Sequence, residues 1–205
     1  MSNVAITGNA SGTGVFTVAS PNSNVDRVLT LPDETGTVIT TAGVPVSAMP
    51  AGSVLQVVST TKSDTFSSTS TSYVDVTGLA ATITPTFATS RIFVTVSMVA
   101  GSTPANVLCA TRLVRNATPI AVGNAASGYA QATVGNQRPS LDTNSAFNQS
   151  INFLDSPVTT LAITYKIQMF AESGTFRVNA TGSDGSGSGW SARSISSITL
   201  MEIAG

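Results

Sequence analysis

Alternation with a period of two most restricts what this chain can fold into. In 161–169 the odd positions are Leu161, Ile163, Tyr165, Ile167 and Met169, and the even ones Ala162, Thr164, Lys166 and Gln168. On a β-strand such a pattern puts the first set on a buried face and the second on a wetter one. The run 147–153 repeats it, with Phe147, Ile151 and Phe153 opposed to Asn148, Ser150 and Asn152. Ile92, Val94, Val96 and Met98 alternate in the same way with Phe93, Thr95 and Ser97. Helical periodicity is almost absent, and Gly, Pro, Asn and Ser punctuate the chain about every ten residues, the all-β pattern. Further strands are expected at 53–60, 71–77, 79–84, 106–115, 118–122, 128–134, 175–180 and 193–203. About ten short strands in roughly 150 residues pack most economically as an all-β sandwich of the jelly-roll kind, two sheets burying their alternating faces against each other. A closed barrel is the alternative.

The first fifty residues are sparser. Strands are expected at 4–7, 14–18, 25–31 and 36–41, but large apolar side chains are few and Phe16 is the one aromatic. So short a segment buries too little surface to fold alone. It must pack on the rest of the chain, on other copies or on a partner. The stretch 43–52 follows, with two prolines and two glycines, and reads as a linker. The chain therefore divides into an attachment or trimerisation segment 1–42, a linker 43–52 and a head 53–205.

Composition removes whole classes of function. Charged residues make up 9% of the 205, against about 25% in an ordinary soluble domain. Nine Lys and Arg face ten Asp and Glu, too few and too scattered for the basic stripe of a nucleic-acid binder. The sequence has no His, which removes the imidazole-dependent triads and metal sites. Ser and Thr number 28 and 30, more than a quarter of the chain. The start, Met1-Ser2-Asn3-Val4-Ala5-Ile6-Thr7, has neither a basic region nor a long apolar one, so no secretory signal is expected. The longest apolar-leaning run, 92–100, is far short of the ~20 residues that a membrane helix needs, and no membrane insertion is expected.

Within the first segment stands Asp26-Arg27-Val28-Leu29-Thr30-Leu31-Pro32-Asp33-Glu34-Thr35-Gly36-Thr37-Val38-Ile39-Thr40-Thr41. Leu29 and Leu31 alternate with Val28 and Thr30 on one strand. Residues 32–36 supply a turn in which Pro fixes φ and Gly takes a positive one, and Thr37 begins the return strand. The product is a small hairpin with exposed apolar positions. It either intertwines with neighbours or docks on its own domain. Residues 27–38 resemble the R-x-L-T-L-P-D-x-T-G-T-[VL] segment of tailed-bacteriophage virion fibre proteins, a likeness that covers about 30 residues with its flanks. The end, Ser196-Ser197-Ile198-Thr199-Leu200-Met201-Glu202-Ile203, resembles the last strand of fibre heads. The resemblance implies a non-enzymatic virion component assembled in the host cytoplasm, a fibre or fibre-like appendage for host attachment. It implies a homotrimer bound to other tail or capsid proteins through its N-terminus, with the interface on Phe16, Arg27, Leu29, Leu31, Pro32 and Val38. A capsid decoration or cement protein and a carbohydrate-binding receptor module for host-surface glycan are the alternatives.

Few residues in the head nominate chemistry. Cys109 lies in the apolar run Val107-Leu108-Cys109-Ala110 and reads as a small buried hydrophobe, because a nucleophile needs an activating base. Asp184 is the one carboxylate in the loop 182–190, too few for a calcium site. Trp190 at the edge of that loop either caps the core or stacks on a sugar ring, and Tyr129 and Tyr73 are candidates of the same kind. Arg112 and Arg115 fall on opposite faces of one strand and read as solvated. Asn9, Asn116, Asn148 and Asn179 each open an N-x-S/T triplet and read as chance matches. No catalytic residue, metal or cofactor is expected.

Overall fold

The computed structural model describes residues 11–15, 24–26, 28, 44–105, 107–137, 143–185 and 191–205. The chain separates into two compact units, Met1–Thr40 and Thr41–Gly205. In the first, Val15, Val25 and Val28 are exposed, and the expected strands lie almost wholly outside the described residues. The second begins with a short 3₁₀ turn, Val46–Ala48, and continues as strands. These are β1 (Val54–Lys62), β2 (Phe66–Ser68), β3 (Val74–Ile83), β4 (Arg91–Thr103), β5 (Cys109–Arg115), β6 (Thr118–Ile120), β7 (Val134–Gln137), β8 (Phe147–Asp155), β9 (Ile163–Ala171), β10 (Thr175–Val178) and β11 (Ser196–Ile203). Among the described residues no helix is long and apolar enough to cross a membrane.

All pairings between these strands are antiparallel, and they resolve into two four-rank sheets. On β4, Ala100 pairs with Phe147 of β8 on one side and Val178 of β10 on the other, while β11 occupies Arg91 to Ser97 opposite β8. A strand has two edges, so β10 and β11 share one edge of β4. β1 pairs with β11 and β2 with β10, which makes β1 and β2 one interrupted outer rank. In the second sheet β9 lies between β3 and β5, and β6 and β7 share the far edge of β5. Counting interrupted ranks once and in chain order, the first sheet runs 1-8-3-6 and the second 2-7-4-5. That is the eight-strand order of a jelly roll, as the strand count anticipates.

The core lies where the expected phases put it. Ile92, Val94, Val96 and Met98 of β4, with Ile198 and Leu200 of β11, face Ile163, Tyr165, Ile167 and Met169 of β9. Four details of the sequence reading change. Leu161 is 75% exposed because β9 starts two residues later. The expected strands 71–77 and 79–84 are one strand, β3, interrupted by a bulge at Gly78 with φ +82°. That bulge moves the buried phase from Val76 to Leu79, Ala81 and Ile83. Residues 128–133 are loop, since β6 and β7 already fill the edge of β5 where another strand would pair. β2 has no alternation long enough to notice and was not anticipated.

The lead-in to β1 is fastened to the head. Gly52 N donates to Ala204 O at 2.8 Å and Ala204 N to Ser53 O at 2.9 Å, joining it to the end of β11.

Candidate functional site

Charged, amide and aromatic side chains gather on the outer face of the second sheet. Period-two geometry turns Thr164, Lys166, Gln168 and Phe170 of β9 outward, together with Arg112 of β5 and Asp75 of β3. Register places Asp75, Gln168 and Arg112 in one cross-strand row. Gln168 Nε2 donates to Asp75 Oδ1 at 2.7 Å, and Arg112 Nε donates to Gln168 Oε1 at 2.8 Å. Lys166 Nζ reaches Asp75 Oδ2 at 2.7 Å, and this hydrogen bond is the main cause holding the Asp75 carboxyl below its ordinary range. The Arg112 guanidinium stacks 3.9 Å above the Tyr73 ring, and Tyr73 meets Phe170 edge to face at 4.8 Å. Burial raises the Tyr73 phenol, and the neighbouring Arg112 charge partly offsets it. Tyr73 OH donates to Gln131 O at 2.8 Å, which pins the loop between β6 and β7 against this face.

That loop carries Tyr129. A turn closed by Tyr129 N donating to Ala126 O, with Gly128 at φ +80°, leaves the ring 77% exposed. Between the loop and β9 opens a cleft of about 350 Å³, lined by Leu108, Gly128, Tyr129, Ala130, Phe170 and Glu172. Two aromatic rings and one exposed carboxylate suit a ligand with an apolar ring face and hydroxyl groups.

The sequence-nominated residues fare unequally. Tyr129 and Tyr73 come together through Phe170. Trp190, Phe16, Arg27, Leu29, Leu31, Pro32 and Val38 lie outside the described residues. Arg112 and Arg115 do point to opposite faces, but neither is merely solvated. Arg112 stacks on Tyr73, and Arg115 reaches into the sandwich to Asp155 at 3.0 Å. Cys109 is fully buried, and that burial pushes its thiol up to about 12, so it packs as a hydrophobe. Asp184 is paired with Arg193. Asn179 is fully buried, where no glycosylating enzyme reaches its amide. Among the described residues no three His, Cys, Asp or Glu side chains cluster as a metal site would need. Phe170 and Glu172 were not nominated, although the outward phase of Thr164, Lys166 and Gln168 leads directly to both.

No protein-family model matches the chain, and no curated protein matches it. The chain is similar to solved structures of VP2 from infectious bursal disease virus. A mutant VP2 in derived T=1 particles shares 14% identity at a TM-score of 0.42, over 81% of this chain and 41% of that one. The structure of the Gx strain shares 13% at 0.39, over 73% and 37%. The VP2 subviral particle shares 12% at 0.38, over 81% and 42%. The chain thus spans less than half the length of these structures, and likeness at this level says nothing about function.

Proposed function

We propose that this protein is a non-enzymatic structural component of a bacteriophage virion. It is a homotrimeric fibre or fibre-like appendage, anchored by residues 1–42 and displaying the jelly-roll head. The observation that supports this reading is the fibre-type segment Arg27-Val28-Leu29-Thr30-Leu31-Pro32-Asp33-Glu34-Thr35-Gly36-Thr37-Val38. It stands ahead of an antiparallel head whose sheets bury their own core. The fold alone would not choose, because jelly rolls serve unrelated functions. The polarity follows from the contrast in apolar content along the sequence. The first segment is too sparse to complete itself, whereas the head is complete.

A chain beginning at Ala51 should stay soluble and β-rich yet fail to join the particle, and a fusion bearing residues 1–50 should compete with the full chain. Normal incorporation of the shortened chain, with no competition by the fusion, would reverse the assigned polarity. Band intensity in a virion gel separates the fibre from the capsid decoration reading, since a decoration protein is present in many more copies. The cleft beneath Tyr129 favours a second role within the same reading, contact of the displayed head with host-surface glycan.

A further inference from the structure

The cleft beside Tyr129 carries a charge bias. Its floor continues the ladder between β5 and β9. Ala110 pairs with Phe170 and Cys109 with Ala171, and one step further Glu172 N donates to Leu108 O at 2.8 Å. Parity turns Leu108, Phe170 and Glu172 to the outer face, where the loop holding Gly128, Tyr129 and Ala130 forms the wall. Glu172 is the one lining residue that is charged at neutral pH. It is exposed, and it enters none of the ion pairs formed among the described residues. Arg112 and Lys166 share this face but do not line the cleft, and both are engaged, by Gln168 and by Asp75. Along β5 Arg112 stands two outward positions beyond Leu108, about 13 Å of strand.

We infer that this cleft ranks sugars by charge, favouring a hexose that bears a protonated amine over a neutral one and a neutral one over an acidic one, an inference that rests on the glycan reading above. The faces of the Tyr129 and Phe170 rings carry the negative side of the aromatic quadrupole, which attracts an organic cation as well as an apolar sugar face. The Glu172 carboxylate accepts from an ammonium N–H as well as from a hydroxyl, and the bond to the ammonium is the stronger because both partners are charged. A ligand carboxylate in the same place adds repulsion and takes water from Glu172 without giving it a donor. Glu172 is open to solvent, so screening keeps the effect to a ranking and not an absolute refusal.

The test titrates the full chain with the methyl glycosides of glucosamine, glucose and glucuronic acid, one ring bearing an amine, hydroxyls alone or a carboxylate. Saturation-transfer NMR reads binding up to tens of millimolar. Affinity should fall in that order, the amine exceeding the acid by about tenfold at low salt. Glu172→Gln should level the ranking and Glu172→Lys should invert it, while Tyr129→Ala abolishes binding of all three. Near-ultraviolet circular dichroism checks that each variant keeps its packing, and Glu172→Gln, which changes least, decides if the lysine variant folds poorly. Three sugars bound equally through Tyr129, an acid bound tightest, or a ranking that Glu172→Gln leaves unchanged would overturn the inference and leave the glycan reading standing. No binding by any of the three, or binding untouched by Tyr129→Ala, would overturn both.

Discussion

Midway along its strands the sandwich is apolar, with β4 and β11 facing β9 across the core. At its ends the same inward phase carries polar groups. Glu202 and Asp155 flank Ile92 in one cross-strand row. The Asp155 carboxylate accepts from Tyr165 OH at 2.6 Å and from Arg115 Nη1 at 3.0 Å, so a β8 side chain is tied to β9 and β5 in the opposite sheet. Glu202 accepts from Gln56 Nε2 and from Thr86 N, both at 2.6 Å, joining β1 and β11 to the connection after β3. At the far end Asn179 is fully buried. Its Nδ2 donates to Lys62 O and Asp64 O, and its Oδ1 accepts from Ser196 Oγ at 2.6 Å. The middle gains stability from non-directional burial, which tolerates adjustment. The ends depend on directed bonds that close each connection in one geometry, and every group left unpaired there costs its full desolvation.

The largest effect belongs to the apolar core, which runs past the middle of the strands to β10. Phe176 is fully buried and stacks on Phe147 with ring centroids 6.4 Å apart. Phe176→Ala should lower unfolding stability by about 3–5 kcal/mol in a denaturant titration. Phe153, which keeps partial exposure on β8, should cost less when truncated. A Phe176 variant as stable as the original chain would mean that apolar burial does not dominate.

Next comes Asn179, which combines its bonds with a φ of +63°. Asn179→Ala loses the bonds and retains an unfavourable left-handed backbone, costing about 2–4 kcal/mol. Asn179→Gly relieves the backbone alone and should recover only part of the loss. Full recovery with Gly would reduce this end to a backbone requirement and remove its side of the comparison.

Glu202→Gln is smaller at neutral pH, about 1–2 kcal/mol, but has a pH signature. Burial pushes the Glu202 carboxyl up, yet the bonds from Gln56 and Thr86 outweigh it and leave it below the ordinary 4.5. A depressed folded value means that the carboxylate contributes above its unfolded pKa and that the contribution fades as pH falls through the folded one. Melting temperature should therefore drop more steeply in acid for the unmodified chain than for Glu202→Gln. Parallel profiles would show that Glu202 is not a stabilising anion.

The middle was legible in the sequence because burial there follows parity and parity is local. Tyr165, Ile167 and Met169 reveal their phase with no knowledge of a partner. The ends were not legible, since polarity in a strand reads as exposure. Gln149, Asp155 and Glu202 sit in the inward phase like their apolar neighbours, and what makes them tolerable there is a partner far away in sequence. Thr111, 38 residues from Gln149, and Gln56, 146 from Glu202, become neighbours only when the sheets close. The cleft was half legible for the same reason. Tyr129 stood out as an aromatic able to stack on a sugar ring, but Phe170 and Glu172 acquire meaning only once the loop lies across β9.

The smallest expected effect on stability is at Tyr129, and it tests whether the outer faces follow the same division. Its ring is largely in water, so Tyr129→Ala should change unfolding stability by no more than about 0.5 kcal/mol. Tyr73 lies under the same loop but donates to Gln131 O and stacks with Phe170 and Arg112, so Tyr73→Ala should cost more and loosen the loop. If the cleft holds sugar, glycan-array binding by the full chain should vanish in Tyr129→Ala while the melting curve stays where it was. Glu172→Gln should weaken binding less, because an amide still accepts from a hydroxyl. Binding that survives Tyr129→Ala would move the ligand contact away from this cleft. A marked loss of stability in that variant would instead make Tyr129 a packing residue and the cleft a by-product of how the loop is pinned.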